Sequence, residues 1–158
     1  MTALPTSALR VADALKQAGL GTEIRQMDKP TRTAEEAARA CDCEVGQIIK
    51  SLIFQGKESG APYLLLVSGK NRVDEKRAAK VIGEPIVRPD AKFVRDITGY
   101  AIGGIPPIGH AQQLSTYIDK DLCEYETAWG AAGTPECVVE INIEQLRNAT
   151  SAKLITTQ

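Results

Sequence analysis

The sequence predicts a mixed α/β (α+β) fold: a largely antiparallel sheet, curled or closed into a barrel, with flanking helices. Three observations carry this. Capping signatures recur along the chain, each ahead of a short run with helical spacing. Between them lie apolar runs of strand length. The strand runs after Gly109 are joined by short turns, without the long crossovers of a doubly wound sheet.

The elements follow in order. Thr6 or Ser7 caps a first helix whose face is Leu9, Ala12, Leu15 and Ala18, and Gly19 and Gly21 stop it. Glu23 to Met27 reads as a short strand. Thr33 caps a second helix, with Glu36 completing a capping box. Ala34, Ala37, Ala38 and Cys41 give that helix a small-residue face. Gln47 to Phe54 and Tyr63 to Ser68 are strands joined by a polar turn, hence a hairpin. Asp74 opens a helix that Gly83 ends, and Asp90 caps another running to Thr98. Leu114 to Asp119, Glu124 to Trp129 and Cys137 to Ile143 are the later strands. A final helix begins at Glu144.

A chain of 158 residues, 43% hydrophobic and 25% charged, suits one globular domain spanning 1–158. A net charge of −1 argues against gripping nucleic acid by bulk electrostatics, although Lys70, Arg72, Lys76, Arg77 and Lys80 form a local basic patch. No apolar run approaches the roughly 20 residues that span a bilayer, and no secretory signal is visible. A cytoplasmic protein without membrane contact is expected. Cys41 and Cys43 lack the usual zinc spacing, and the four cysteines read as reduced thiols holding no metal.

Two features point to chemistry. Lys50 interrupts the apolar run Ile48 to Phe54, and alternation puts it on one face with Ile48 and Leu52. A snorkelling surface lysine is the plain alternative. A lysine at the mouth of an internal cavity is the functional one, because a desolvated ammonium needs an anionic or polar partner. The second feature is the loop Gly103-Gly104-Ile105-Pro106-Pro107-Ile108-Gly109-His110. Three glycines and two prolines between positions 103 and 109 exceed what a turn needs. Such a loop is rigid yet admits a ligand close to the backbone. It is neither a Walker loop nor a dinucleotide fingerprint. His110 is the one histidine, but no nucleophile elbow accompanies it.

The order Thr33-Ala34-Glu35-Glu36-Ala37-Ala38, Ile49-Lys50-Ser51-Leu52, Ser68 to Asp74, Ile97-Thr98-Gly99-Tyr100, Gly103 to Pro107 and Gly133-Thr134-Pro135 resembles the YbaK-like aminoacyl-tRNA deacylases. These are freestanding relatives of the editing domain inserted in bacterial prolyl-tRNA synthetases. The resemblance runs from about Thr31 to Thr150. It implies a trans-editing hydrolase that removes a small wrong amino acid from mischarged tRNA, with no metal or other cofactor. Its partners would be the aminoacylated acceptor end of tRNA and, as a second candidate, an aminoacyl-tRNA synthetase. The signature lysine maps to Lys50, and the signature loop to Gly103 and Gly104 with Ile105, Pro106 and Pro107. Gly109, His110 and Met27 are further candidates for the substrate pocket. Asn71 departs from the family, since many relatives carry Asp there, and so do the paired Pro106-Pro107 and His110 after Gly109. A non-catalytic module that binds tRNA or a synthetase is the rival class, and a hydrolase of other esters is a third.

Overall fold

A computed structural model describes residues 3–21 and 23–157. Among these residues, five α-helices and eight strands follow one another: α1 (Thr6–Gln17), β1 (Ile24–Gln26), α2 (Ala34–Cys41), β2 (Ile48–Gly56), β3 (Pro62–Ser68), α3 (Glu75–Ile82), β4 (Ile86–Val87), α4 (Ala91–Thr98), β5 (Ser115–Asp119), β6 (Thr127–Ala131), β7 (Cys137–Asn142), α5 (Ile143–Thr150) and β8 (Lys153–Ile155).

The capping signatures locate the helix starts. The Thr33 hydroxyl accepts from the Glu36 amide at 3.1 Å, Asp74 from Arg77 at 3.1 Å and Asp90 from Phe93 at 2.8 Å. Gly83 and Gly99 close α3 and α4 in the left-handed conformation. The first helix differs from its expectation. Pro5 is its cap, Thr6 and Ser7 lie inside it, and Ala8, Val11 and Leu15 are its buried residues. Leu9 points outward at 54% exposure.

The eight strands form one mixed sheet in the order β1-β7-β6-β2-β3-β5-β8, with β4 beside β2. β2 and β3 pair antiparallel from Ile49↔Ser68 to Gln55↔Pro62, as the expected hairpin does. β6–β7, β1–β7 and β2–β4 are antiparallel too, while β2–β6, β3–β5 and β5–β8 are parallel. The sheet stays open, with β1 and β8 at opposite ends, so the barrel alternative does not hold. Of the strands after Gly109, β6 and β7 run side by side, but β5 does not join them. β5 docks on β3, whereas β6 and β7 lie beyond β2. The segment expected as a strand from Glu124 begins instead with a 3-10 turn at Leu122–Glu124, and the strand starts at Thr127.

Side chains alternate across the sheet. Ile49, Ile53, Leu64 and Leu66 face the main core with α1, α4 and α5. Phe54, Leu65 and Val67 face a second cluster that includes Ala78 of α3. Ile48 joins a third with Ala37, Ala38 and Cys41 of α2. Lys50 therefore sits in the gap between the second and third clusters, on the face alternation assigns it.

Candidate functional site

β2 is not fully partnered along the edge that meets β6. It pairs with β6 only at Ile48↔Trp129 and Ile49↔Gly130. It next meets a strand on that side at Gln55↔Val87. Among the described residues, Lys50 to Phe54 have no strand beside them there. A cleft of about 260 Å³ fills the upper part of this split. Because it opens on a strand edge, residues of both faces of β2 line it, Lys50 and Ser51 included. Ile48, Trp129 and Val138 form apolar walls, Thr31 to Ala34 lead into α2 along the rim, and Ile102, Gly103 and Ile105 close it from the loop.

Lys50 donates to the backbone carbonyl of Asn71. Burial lowers its pKa, Arg72 adds to this, and Glu35 and Asp119 work against it. Behind Asn71 lies a buried polar hub. The Asp119 carboxylate, 1% exposed, accepts from the Ser68 amide at 3.1 Å, Asn71 Nδ2 at 2.8 Å, the Thr157 hydroxyl at 3.1 Å and the Asp121 amide at 3.0 Å. The lysine thus rests on a braced turn.

The loop is shaped by one left-handed residue and one close approach. Gly103 has φ +98°, a conformation that disfavours a side chain. At Gly104 a Cβ would stand 2.6 Å from the Gly133 carbonyl oxygen. The Gly104 amide closes a turn on the Ala101 carbonyl at 3.0 Å, and its own carbonyl accepts from Gly133 at 2.9 Å. Both backbone groups of Gly104 are therefore engaged in holding the loop. The amides of Gly103 and Ile105 take no part in that turn.

The other sequence candidates lie elsewhere. Pro107 packs near Gly130 behind the cleft. Gly109 and His110 border a separate hollow with Gln112, Gln113 and Thr150. His110 Nε2 lies 2.7 Å from the Pro106 carbonyl, and burial lowers its pKa. A neutral ring donating from Nε2 fits both facts. Met27 packs on the α2 cluster, its amide bound to the Glu136 carbonyl at 2.7 Å. Neither Pro106 nor any of these four residues lines the cleft.

Trp129 and Ser51 are among the wall residues that the sequence does not single out. Trp129 reads as core, and it is 7% exposed, yet it also walls the cleft with Arg25 stacked 4.7 Å from its ring. Ser51 lines the cleft with a buried hydroxyl that has no hydrogen-bond partner. Its only sequence signal is a hydroxyl inside an apolar run. Three thiols are poor nucleophiles: burial pushes Cys41 up to about 11, and Cys43 and Cys123 are also raised. Among the described residues, no group of three or more His, Cys, Asp or Glu could hold a metal, and no helix is long and apolar enough to cross a membrane.

A sequence profile of the aminoacyl-tRNA editing domain matches residues 28–149, which include every wall of the cleft. The chain belongs to the aminoacyl-tRNA editing domain family. A solved structure described as a candidate trans-editing enzyme for prolyl tRNA synthetase superposes with a TM-score of 0.93 at 43% identity, covering 99% of both chains. The candidate Cys-tRNA(Pro)/Cys-tRNA(Cys) deacylase EbsC of Enterococcus faecalis is 30% identical over 129 residues, 80% of this chain and 78% of that one. The proline–tRNA ligase of Limosilactobacillus fermentum is 29% identical over 112 residues, 68% of this chain but only 20% of the ligase. Editing is named both in the family's description and in that of the solved structure.

Proposed function

We propose that this protein is a trans-editing hydrolase that frees tRNA of a small, wrongly attached amino acid. One observation carries the reading: Lys50 lines the same cleft as Gly103 and Ile105 of the loop, between walls that are mostly apolar. Its volume, about 260 Å³, lies at or below the usual range for small-molecule pockets, roughly 300–1,000 Å³. That suits an aminoacyl group with the terminal ribose at the mouth, rather than a whole nucleotide.

An aminoacyl ester is already activated, so positioning and charge stabilisation suffice. In this reading the amides of Gly103 and Ile105 meet the oxyanion as water adds to the ester carbonyl. The C–O bond to the ribose then breaks, and the ribose oxygen leaves with a proton. The Lys50 ammonium holds the carbonyl oxygen or the terminal phosphate. The terminal ribose hydroxyl, or the water itself, provides the remaining proton relay, so neither a triad nor a metal is required. Ile105, Trp129 and Val138 bound the side-chain end. Synthetases need such a second site because one methylene is worth only about 1–3 kcal/mol in binding.

The test is a deacylation panel with tRNAs mischarged with Ala, Ser, Thr, Cys and larger residues. At least one small aminoacyl-tRNA should be hydrolysed well above its rate in buffer. Hydrolysis of none, with tRNA still bound, would leave the non-catalytic binding module as the better reading.

A further inference from the structure

Helix α1 lies outside the stretch matched by the editing-domain profile, 28–149, and contributes nothing to the cleft wall. It nevertheless reaches both ends of the signature loop. Arg10 Nη2 donates to the Gly99 carbonyl at 2.6 Å. The same guanidinium lies 4.6 Å from the centre of the Tyr100 ring. The Tyr100 hydroxyl in turn donates to the Gly109 carbonyl at 3.1 Å. Gly109 is pressed so close to α1 that a methyl on it would stand 2.7 Å from the Ala14 Cβ. Gly99 and Gly109 bracket Gly103 to Ile105.

We infer that Arg10 and Tyr100 are positioning residues that fix the span of the signature loop, and with it the aim of the Gly103 and Ile105 amides. This rests on the reading of that loop given under Proposed function. The need is physical. A segment with glycines at 99, 103, 104 and 109 has a wide choice of backbone states unless its ends are held. A displacement of about 1 Å at a reacting group can lower a rate roughly 100-fold. Anchoring of α1 itself does not explain Arg10. Ala8, Val11 and Leu15, each 0% exposed, already dock the helix, whereas Arg10 lies on its exposed side.

The experiment compares wild type, Arg10→Met and Tyr100→Phe by amide hydrogen exchange and by deacylation kinetics. Exchange across residues 99–113 should rise about tenfold in both variants, while the β2–β3 hairpin keeps its wild-type protection. On a tRNA the wild type hydrolyses, kcat should fall about tenfold with KM unchanged, because the amides act on the transition state. Arg10→Lys, which can still donate to the Gly99 carbonyl, should recover part of the loss. Wild-type exchange in the loop of both variants overturns the inference. So does a rise spread equally over the hairpin, which would mark these contacts as general stabilisers of the fold. Exchange requires no substrate, so it judges the clamp even if the wild type hydrolyses nothing on the panel and the editing reading itself fails.

Discussion

Asn71 joins Lys50 to Asp119. Its backbone carbonyl accepts from the Lys50 ammonium, and its side-chain amide donates to Asp119 at 2.8 Å and to Asp121 at 2.7 Å. A lysine and a buried carboxylate are thereby linked through one residue and not by direct pairing. An amide suits this position, since an Asp here would bring a third carboxylate against two others.

Removing the hub should loosen everything that converges on it. Asp119→Ala would strip the acceptor from the Ser68 amide, Asn71 Nδ2, the Thr157 hydroxyl and the Asp121 amide. A loss of about 3–5 kcal/mol in urea unfolding is expected. Unfolding at the wild-type midpoint would show the hub to be dispensable.

Lys50→Met should abolish deacylation, by more than about 100-fold, without weakening the fold. Burial lowers the pKa of Lys50 from 10.5, so between the folded value and 10.5 the unfolded chain binds more protons. Wild-type stability should therefore gain from this group as pH rises through that window. At pH 7 the methionine variant should be at least as stable as wild type, and the gap should narrow towards pH 10. Denaturation curves at both pH values decide it.

His110 should act through stability and not through selection of substrate. Burial depresses its pKa below 6.5, so stability held at neutral pH is lost as pH falls from about 6.5 towards the folded value. His110→Gln should flatten that acid limb in denaturation series at pH 7.5 and 5.5. The variant should also keep the wild-type ratio of Ser to Ala deacylation, because His110 borders a hollow outside the cleft. A changed ratio would place the ring against the substrate after all.

Gly104→Ala should destabilise by about 2–4 kcal/mol, because the new methyl meets the Gly133 carbonyl oxygen at 2.6 Å and that atom belongs to the main chain. Gly21→Ala is the control, with nothing within 4 Å of its Cβ. Similar melting temperatures for the two would contradict the close approach.

Ile105→Ala removes bulk from a cleft wall and should extend hydrolysis to larger amino acids. The comparison is the ratio of large to small aminoacyl-tRNA hydrolysed by variant and wild type. An unchanged ratio would mean that Trp129 and Val138 set the limit.

Much of this was readable in advance, and the reasons are local. Thr33, Asp74 and Asp90 mark helix starts because a side-chain oxygen can satisfy an amide only there. The β2–β3 hairpin follows from two strand-length runs joined by one polar turn, and the strands pair at seven positions. What escaped was short or remote. β4 has two residues and β8 three, too few for any periodicity. The parallel pairings β2–β6 and β3–β5 join segments some fifty or more residues apart, and nothing in either segment names its partner. In the site, Lys50 declared itself as a charge in an apolar run, and the loop by its glycines and prolines. Trp129 did not, because a buried indole reads alike whether its far side meets protein or a cavity. Met27, Pro106 and His110 were nominated by nearness in sequence, and folding turned them aside from the cleft.

The parting of β2 from β6 after two paired residues has a consequence for how such a protein changes over time. Where two strands separate, the surface offered to a visitor is the peptide unit itself, and no codon change alters that. Under the editing proposal, selection can exchange Ile105, Trp129 or Val138 to admit a different side chain while the exposed main chain from Lys50 to Leu52 persists. Side-chain walls and main-chain edge are written in different materials, so a lineage could change what the cleft admits without rebuilding the split that forms it.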